Sequence, residues 1–146
     1  MTALWTSDEI AGALAPAELT AAFSANGVTF DSRAVKAGDL FFALKGETSD
    51  GHGFVTQAFA HGAAAAVVSQ PIEGKVGALV KVADTMQALV ALGRAGRARS
   101  SARVASVTGS VGKTSTKDAL RAMLSAQAAT AASAASYNNH VGVPIS

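Results

Sequence analysis

The chain has 146 residues, 49% of them hydrophobic and 15% charged, with a formal net charge of +2. That length and apolar content give room for a core and exclude a disordered polymer, and so small a charge gives no ground for a nucleic-acid partner. There is no cysteine, which excludes disulfides, thiolate metal sites and cysteine nucleophiles and suits a reducing compartment.

From the N-terminus, Thr6-Ser-Asp-Glu9 fits a capping box, with Ile10, Ala11 and Leu14 continuing an amphipathic helix that ends near Pro16. Acidic residues stand here where a signal peptide would carry basic ones. Residues 27–33 read as a short strand running into a turn. Gly38-Asp39 is a turn, and Leu40 to Leu44 is an apolar run suited to a buried strand. After a polar loop, 46–53, the run Phe54 to Ala60 has helical spacing, with Gly62 as its stop. The charge-free run from Gly51 to Ile72 contains His52, Gln57, His61, Gln70 and Pro71, so it makes a poor membrane span, and a cytoplasmic setting without a membrane partner is expected. Ala64 to Ser69 and Ala78 to Val82 read as two more buried strands. Asp84 caps a further helix whose apolar pattern fades near Arg94. Strands alternating with helices argue for an α/β fold with a largely parallel sheet.

Arg94, Arg97, Arg99 and Arg103 fall in a stretch without acids or interleaved aromatics. It reads as a solvated helix end and linker rather than a nucleic-acid patch, which places a domain boundary near residues 99–102. Beyond it, Val104 to Thr108 is expected as a strand, followed by a glycine turn and a helix from Lys117 to Ala126. The tail from Gln127 to Ser136 is of low complexity.

The loop Gly109-Ser110-Val111-Gly112-Lys113-Thr114 has the parts a nucleotide phosphate needs. Its glycines let backbone N–H groups converge on anionic oxygens, and the following helix adds the positive end of its dipole. Lys113 can reach the terminal phosphates and the Thr114 hydroxyl can ligate Mg²⁺. A general phosphate loop has a further glycine five positions before the second one, and here that position is Val107; a plain structural turn is the alternative. The loop Gly46-Glu47-Thr48-Ser49-Asp50-Gly51-His52 is a second candidate anion site, or an ordinary polar strand-to-helix loop. Asp31-Ser32-Arg33 offers either a guanidinium for a phosphate or a capped turn with a surface arginine. The three histidines have no metal-ligand spacing, and Ser110 lacks the first glycine of a nucleophile elbow. Asn138-Asn139-His140 is a polar cluster that reads equally as a ligand contact or as a turn before Val141-Gly-Val-Pro144.

Together, the segment from Phe30 to Gly46, Asp50-Gly-His-Gly-Phe54 and Thr108 to Ser115 resemble the Mur ligases, ATP-dependent amino-acid ligases of peptidoglycan synthesis. The resemblance covers nearly the whole chain, and a loop with Val107 is what that family shows. Thr116-Lys117-Asp118 and the segment Asn138 to Pro144 are most similar to members that join D-alanyl-D-alanine to UDP-N-acetylmuramoyl-tripeptide. Members that add the third peptide residue are the nearest alternative, although they usually have Thr-Asn where this chain has Ser110-Val111. A small phosphate-loop NTPase or nucleotide-binding module is the alternative outside the family.

The resemblance implies a mixed α/β N-terminal domain, residues 1–100, that holds the UDP end of the substrate through Phe30, Asp31, Ser32, Arg33, Glu47, Thr48 and Ser49. It implies an ATP loop from Gly109 to Ser115, with Lys113 catalytic and Thr114 toward Mg²⁺, and places Asn138 and Asn139 at the central active site. The family often has Gly-Asn where Ala135 and Ser136 stand. The family reaction activates the substrate's terminal carboxylate as an acyl phosphate, which the amine of D-alanyl-D-alanine attacks. The family's modified lysine, second acidic Mg²⁺ ligand and C-terminal domain would all lie beyond Ser146. One strand–loop–helix unit does not close a parallel sheet. The chain is therefore expected to be a fragment, inactive alone: an N-terminal domain plus the incomplete opening of a central ATPase domain at 101–146, mobile after about residue 127 unless packed on another chain. The sequence leaves the oligomeric state and the third-position diamino acid open.

Overall fold

This computed structural model describes residues 3–46, 49–74 and 76–133. Strand β1 (Trp5–Thr6) leads into helix α1 (Ser7–Ala13). The expected capping box is formed: Thr6 Oγ1 accepts from the Glu9 N–H at 3.4 Å, and Glu9 Oε2 accepts from the Thr6 N–H at 2.8 Å. Short strands β2 (Glu18–Leu19), β3 (Ser24–Ala25) and β4 (Gly27–Thr29) precede β5 (Asp39–Phe42). A 3₁₀ turn at Gly51–Phe54 runs into α2 (Val55–Ala60), then come β6 (Ala65–Val68), β7 (Ala78–Lys81), α3 (Thr85–Arg99) and α4 (Lys113–Ser125).

The main sheet has the order β2-β7-β6-β5-β4. β4 through β7 pair in parallel, while β2 closes the edge antiparallel to β7, with Leu19 opposite Val80. A separate pair, β1 with β3, sets Trp5 opposite Ala25. Side chains alternate across a strand, so each apolar run serves two faces. Leu40, Phe42, Ala65, Val67 and Val80 meet Ile10 and Leu14 near α1 and Ala88, Leu89 and Leu92 of α3. Phe41, Ala43, Ala66, Val68 and Leu79 meet Val55 and Ala58 of α2 on the other face. Runs without polar alternation follow directly from helices on both sides of a parallel sheet.

Helix ends follow the expected signals. Asp84 Oδ1 accepts from the N–H groups of Met86 (2.8 Å) and Gln87 (2.9 Å), capping α3. Gly62 stops α2 with φ at +98°, its N–H bonded to the Phe59 carbonyl at 2.9 Å. Helix α3 runs on to Arg99, past the point where its apolar pattern fades. Arg99 supplies the reason: its guanidinium lies 3.9 Å from the centre of the Trp5 ring and reaches Glu9 Oε1 at 3.1 Å and the Leu4 carbonyl at 2.9 Å. The last turn of α3 is thereby tied to the N-terminal segment.

Two expectations beyond residue 100 are corrected. Val104 to Thr108 forms no strand: among the described residues nothing pairs with it, and Val104 is exposed. A strand is made by its ladder partners, not by its own apolar residues. Helix α4 begins at Lys113 rather than Lys117, because Gly112 takes a left-handed conformation (φ +77°, ψ 0°) and starts the helix immediately after the turn. No residue of α4 is buried against the rest of the described structure. Of the tail expected to be mobile after about residue 127, residues 134–146 lie outside the described residues. No helix among the described residues is long and apolar enough to cross a membrane.

Candidate functional site

In an open parallel sheet, ligands bind outside the carboxyl ends of the strands, because loops and helix N-termini gather there. Here the loop after β4 carries Phe30 to Arg33, and the loop after the adjacent β5 carries Gly46, Ser49, Asp50, Gly51 and His52. Both candidate segments therefore leave neighbouring strands at the same end. Ser69 and Gln70 follow β6 at that end too; their distance in sequence hid them.

In the first loop Asp31 holds Arg33. Asp31 Oδ1 accepts from the Arg33 N–H (3.0 Å) and from Nε (2.9 Å), and Oδ2 accepts from an η nitrogen at 2.8 Å. The guanidinium is otherwise open to solvent, with 82% of the side chain exposed. The Arg33 side chain first, and its N–H second, hold the Asp31 carboxyl at about 2 against an ordinary 3.8. A depressed carboxyl contributes stability that is complete above its ordinary value and is lost as pH falls from 3.8 through about 2. A carbon-detected NMR titration of the Asp31 carboxyl is expected to show a midpoint near 2, returning toward 3.8 in Arg33→Ala. An unchanged midpoint in the variant would contradict the pairing. Phe30 is 40% exposed beside this pair, whereas Ser32 is 8% exposed. Ser32 Oγ donates to Gln57 Oε1 at 3.1 Å, and its carbonyl accepts from His61 Nδ1 at 2.8 Å.

The second loop is fixed by His52. Its Nε2 accepts the Ser69 backbone N–H at 2.9 Å, so the ring proton sits on Nδ1 and is donated to Asp50 Oδ1 at 2.5 Å. Asp50 also takes the His52 N–H at 2.9 Å, and its carboxyl lies below its usual range, chiefly through that backbone bond and next through the ring. Ser69 Oγ lies 3.3 Å from the same Nε2. The Asp–His–Ser order resembles a nucleophilic triad, but the histidine lone pair is already occupied by the serine's own N–H, so the arrangement braces two loops instead. Gly51 is required on packing grounds: a Cβ there would meet the Leu44 N at 2.7 Å and O at 2.8 Å. Glu47 and Thr48 lie outside the described residues.

The third segment is the turn Gly109 to Gly112 opening α4. Gly109 (φ +149°) and Gly112 (φ +77°) both adopt the left-handed region that favours glycine. Lys113 folds back so that Nζ bonds the Gly109 carbonyl and lies 3.5 Å from the Ser110 carbonyl. Val111 is 90% exposed, and Thr114 and Ser115 are exposed in the first turn. The first N–H groups of a helix have no intrahelical carbonyl to bond. A turn of this kind beneath an ammonium is suited to phosphate. Thr114 fits Mg²⁺, which takes few protein ligands and completes its shell with phosphate oxygens and water. Among the described residues, no hydrogen bond or ion pair links this turn to the loops after β4 and β5. Asn138 and Asn139 lie outside the described residues.

A mostly parallel sheet with braced loops at its carboxyl edge, followed by a glycine turn and a helix, is an α/β arrangement of the kind that gathers ligand-binding loops at one end of the sheet. The family model described as "Mur ligase family, catalytic domain" matches residues 24–104, and "Mur ligase middle domain" matches 107–146. The chain belongs to the Mur ligase family.

Among solved structures, it is 36% identical, with a TM-score of 0.84, to the UDP-N-acetylmuramoylalanyl-D-glutamyl-2,6-diaminopimelate–D-alanyl-D-alanyl ligase of Acinetobacter baumannii, over 97% of this chain and 32% of that one. The MurF ligase of Thermotoga maritima, solved in complex with ADP, is 30% identical with a TM-score of 0.68, over 82% of this chain and 28% of that one. The UDP-N-acetylmuramoyl-L-alanyl-D-glutamate–2,6-diaminopimelate ligase of Aquifex aeolicus is 48% identical over 63 residues, 43% of this chain and 13% of the relative. The chain thus spans about a third of the length of the solved structures it matches.

Proposed function

We propose that this chain supplies the UDP-substrate-binding domain (1–100) and the beginning of the ATP-binding domain (101–146) of a MurF-type ligase. The full enzyme would join D-alanyl-D-alanine to UDP-N-acetylmuramoyl-tripeptide in the cytoplasm. The observation that carries the reading is the Gly109–Gly112 turn with Lys113 folded over it at the head of α4. The similarity to MurF structures over nearly the whole chain supports the choice of reaction.

In this reading the N–H groups of Gly109 to Ser115 face the ATP phosphates, and Lys113 swings from its carbonyls to the terminal phosphates. Thr114 would give one oxygen to Mg²⁺, and Asn138 and Asn139 would serve the central active site. Bound Mg²⁺ neutralises charge that develops in the phosphoryl transfer. Phe30, Asp31, Ser32, Arg33 and the Glu47–Ser49 loop would hold the UDP end of the substrate. Arg33 is held by Asp31 in a bidentate pair and still presents an exposed charge. The reaction of a diaminopimelate-adding ligase is the second reading, favoured by the 48% identity to the Aquifex relative.

The chain by itself is expected to bind UDP-N-acetylmuramoyl-tripeptide, with UDP displacing it, and to release no phosphate from ATP when D-alanyl-D-alanine is added. Titration calorimetry and a phosphate-release assay check these outcomes. Absence of binding heat would overturn the substrate assignment, and phosphate release dependent on both substrates would overturn the inactivity.

A further inference from the structure

We infer that Gln57 and His61 on α2 are positioning residues that hold the Ser32 loop ready for the uridine diphosphate end of the substrate. The inference rests on the proposed role of Phe30–Arg33 and adds two residues that lie outside that loop.

Helix α2 is divided by face. Val55 and Ala58 point into the core against Phe41 and Ala66, while Gln57 and His61, four residues apart and on one face, contribute nothing to that core. Both reach Ser32 instead. Ser32 Oγ donates to Gln57 Oε1 at 3.1 Å, which fixes the side chain. The Ser32 carbonyl, which can only accept, takes the Nδ1 proton of His61 at 2.8 Å, which fixes the peptide plane and the histidine tautomer together. His61 is itself seated at the helix end, where its N–H bonds the Gln57 carbonyl at 3.0 Å. On the other side of Ser32, Asp31 holds the Arg33 N–H, and the Ala34 N–H bonds the Asp31 carbonyl at 3.0 Å. The loop is therefore gripped at its serine by α2 and at its flanks by its own turn. A loop ordered before the ligand arrives does not lose that freedom on binding. Gln57 and His61 are largely exposed, so their removal loosens the loop without opening the core.

The test is calorimetric titration of the chain with UDP, alongside thermal unfolding. Gln57→Leu and His61→Leu are each expected to weaken UDP by about two- to tenfold, the worth of one hydrogen bond, while the chain stays folded with a melting temperature lowered by only a few degrees. Conservative replacements separate positioning from bulk: Gln57→Glu keeps an acceptor for Ser32 Oγ, and His61→Asn keeps a donor at the Nδ1 position, so both are expected to restore affinity. Wild-type binding that the leucine variants leave intact would overturn the inference alone. A wild-type chain that does not bind UDP would overturn both it and the substrate assignment. Leucine variants weakened together with their asparagine and glutamate counterparts would also overturn it.

Discussion

Replacing Phe42 with alanine is expected to lower the unfolding free energy by about 3–5 kcal/mol, a large part of the roughly 5–15 kcal/mol that holds a domain together. Phe42 is fully buried, stands beside Val67 in the parallel register of β5 and β6, and lies in the cluster that α1 and α3 cover. Truncation loses the transfer energy of the ring and leaves a void inside the cluster shared by the sheet and helices α1 and α3. Urea unfolding followed by the emission of Trp5, the sole tryptophan, reads this directly. A loss below about 1 kcal/mol would mean that the sheet is not covered on this face as described.

Lys113→Ala is expected to do the opposite. It should weaken ATP–Mg²⁺ binding by about 10- to 100-fold, the worth of a charged hydrogen-bonding group lost from a phosphate site. Stability should hardly change, since α4 buries none of its residues and, among the described residues, the Lys113 amine bonds only the carbonyls of its own turn. Titration of both chains with ATP–Mg²⁺ reads the difference. Equal affinities would remove Lys113 from the phosphate site and leave the turn as a structural one.

The parts of the fold legible in the sequence were those with local causes. The Thr6–Glu9 box and the Asp84 cap use residues two or three apart, and both form. The runs around Phe41 and Val67 announce a doubly covered sheet because no polar residue interrupts Leu40 to Leu44 or Ala65 to Val68, and the run around Leu79 is broken by Lys81 alone, at the exposed end of its strand. Strands β1, β2 and β3 have two residues each, too few for any period, and depend on distant partners; the Leu79 N–H, for example, bonds Thr20 Oγ1 at 2.8 Å.

The same distinction governs the site. The glycine turn before α4 was legible because its conformation is written in Gly109 and Gly112 themselves. The bracing of the loops was not: His52 meets Ser69 across 17 positions, and Ser32 meets Gln57 and His61 across 25 and 29. Only the sheet, by setting β4, β5 and β6 side by side, brings those residues together. The Val104–Thr108 expectation failed for the converse reason, since an apolar run lacks a ladder unless a neighbour supplies one.

Two sets of loops are proposed to serve two nucleotides: the strand-end loops UDP, and the turn before α4 ATP. Amide chemical-shift mapping of the labelled chain, titrated with UDP and then with ATP–Mg²⁺, tests this division most directly. UDP is expected to move Phe30 to Arg33, Ser49 to His52 and Ser69, and ATP–Mg²⁺ to move Gly109 to Thr116. Shifts from both ligands on the same residues, or from neither on Gly109 to Thr116, would contradict it.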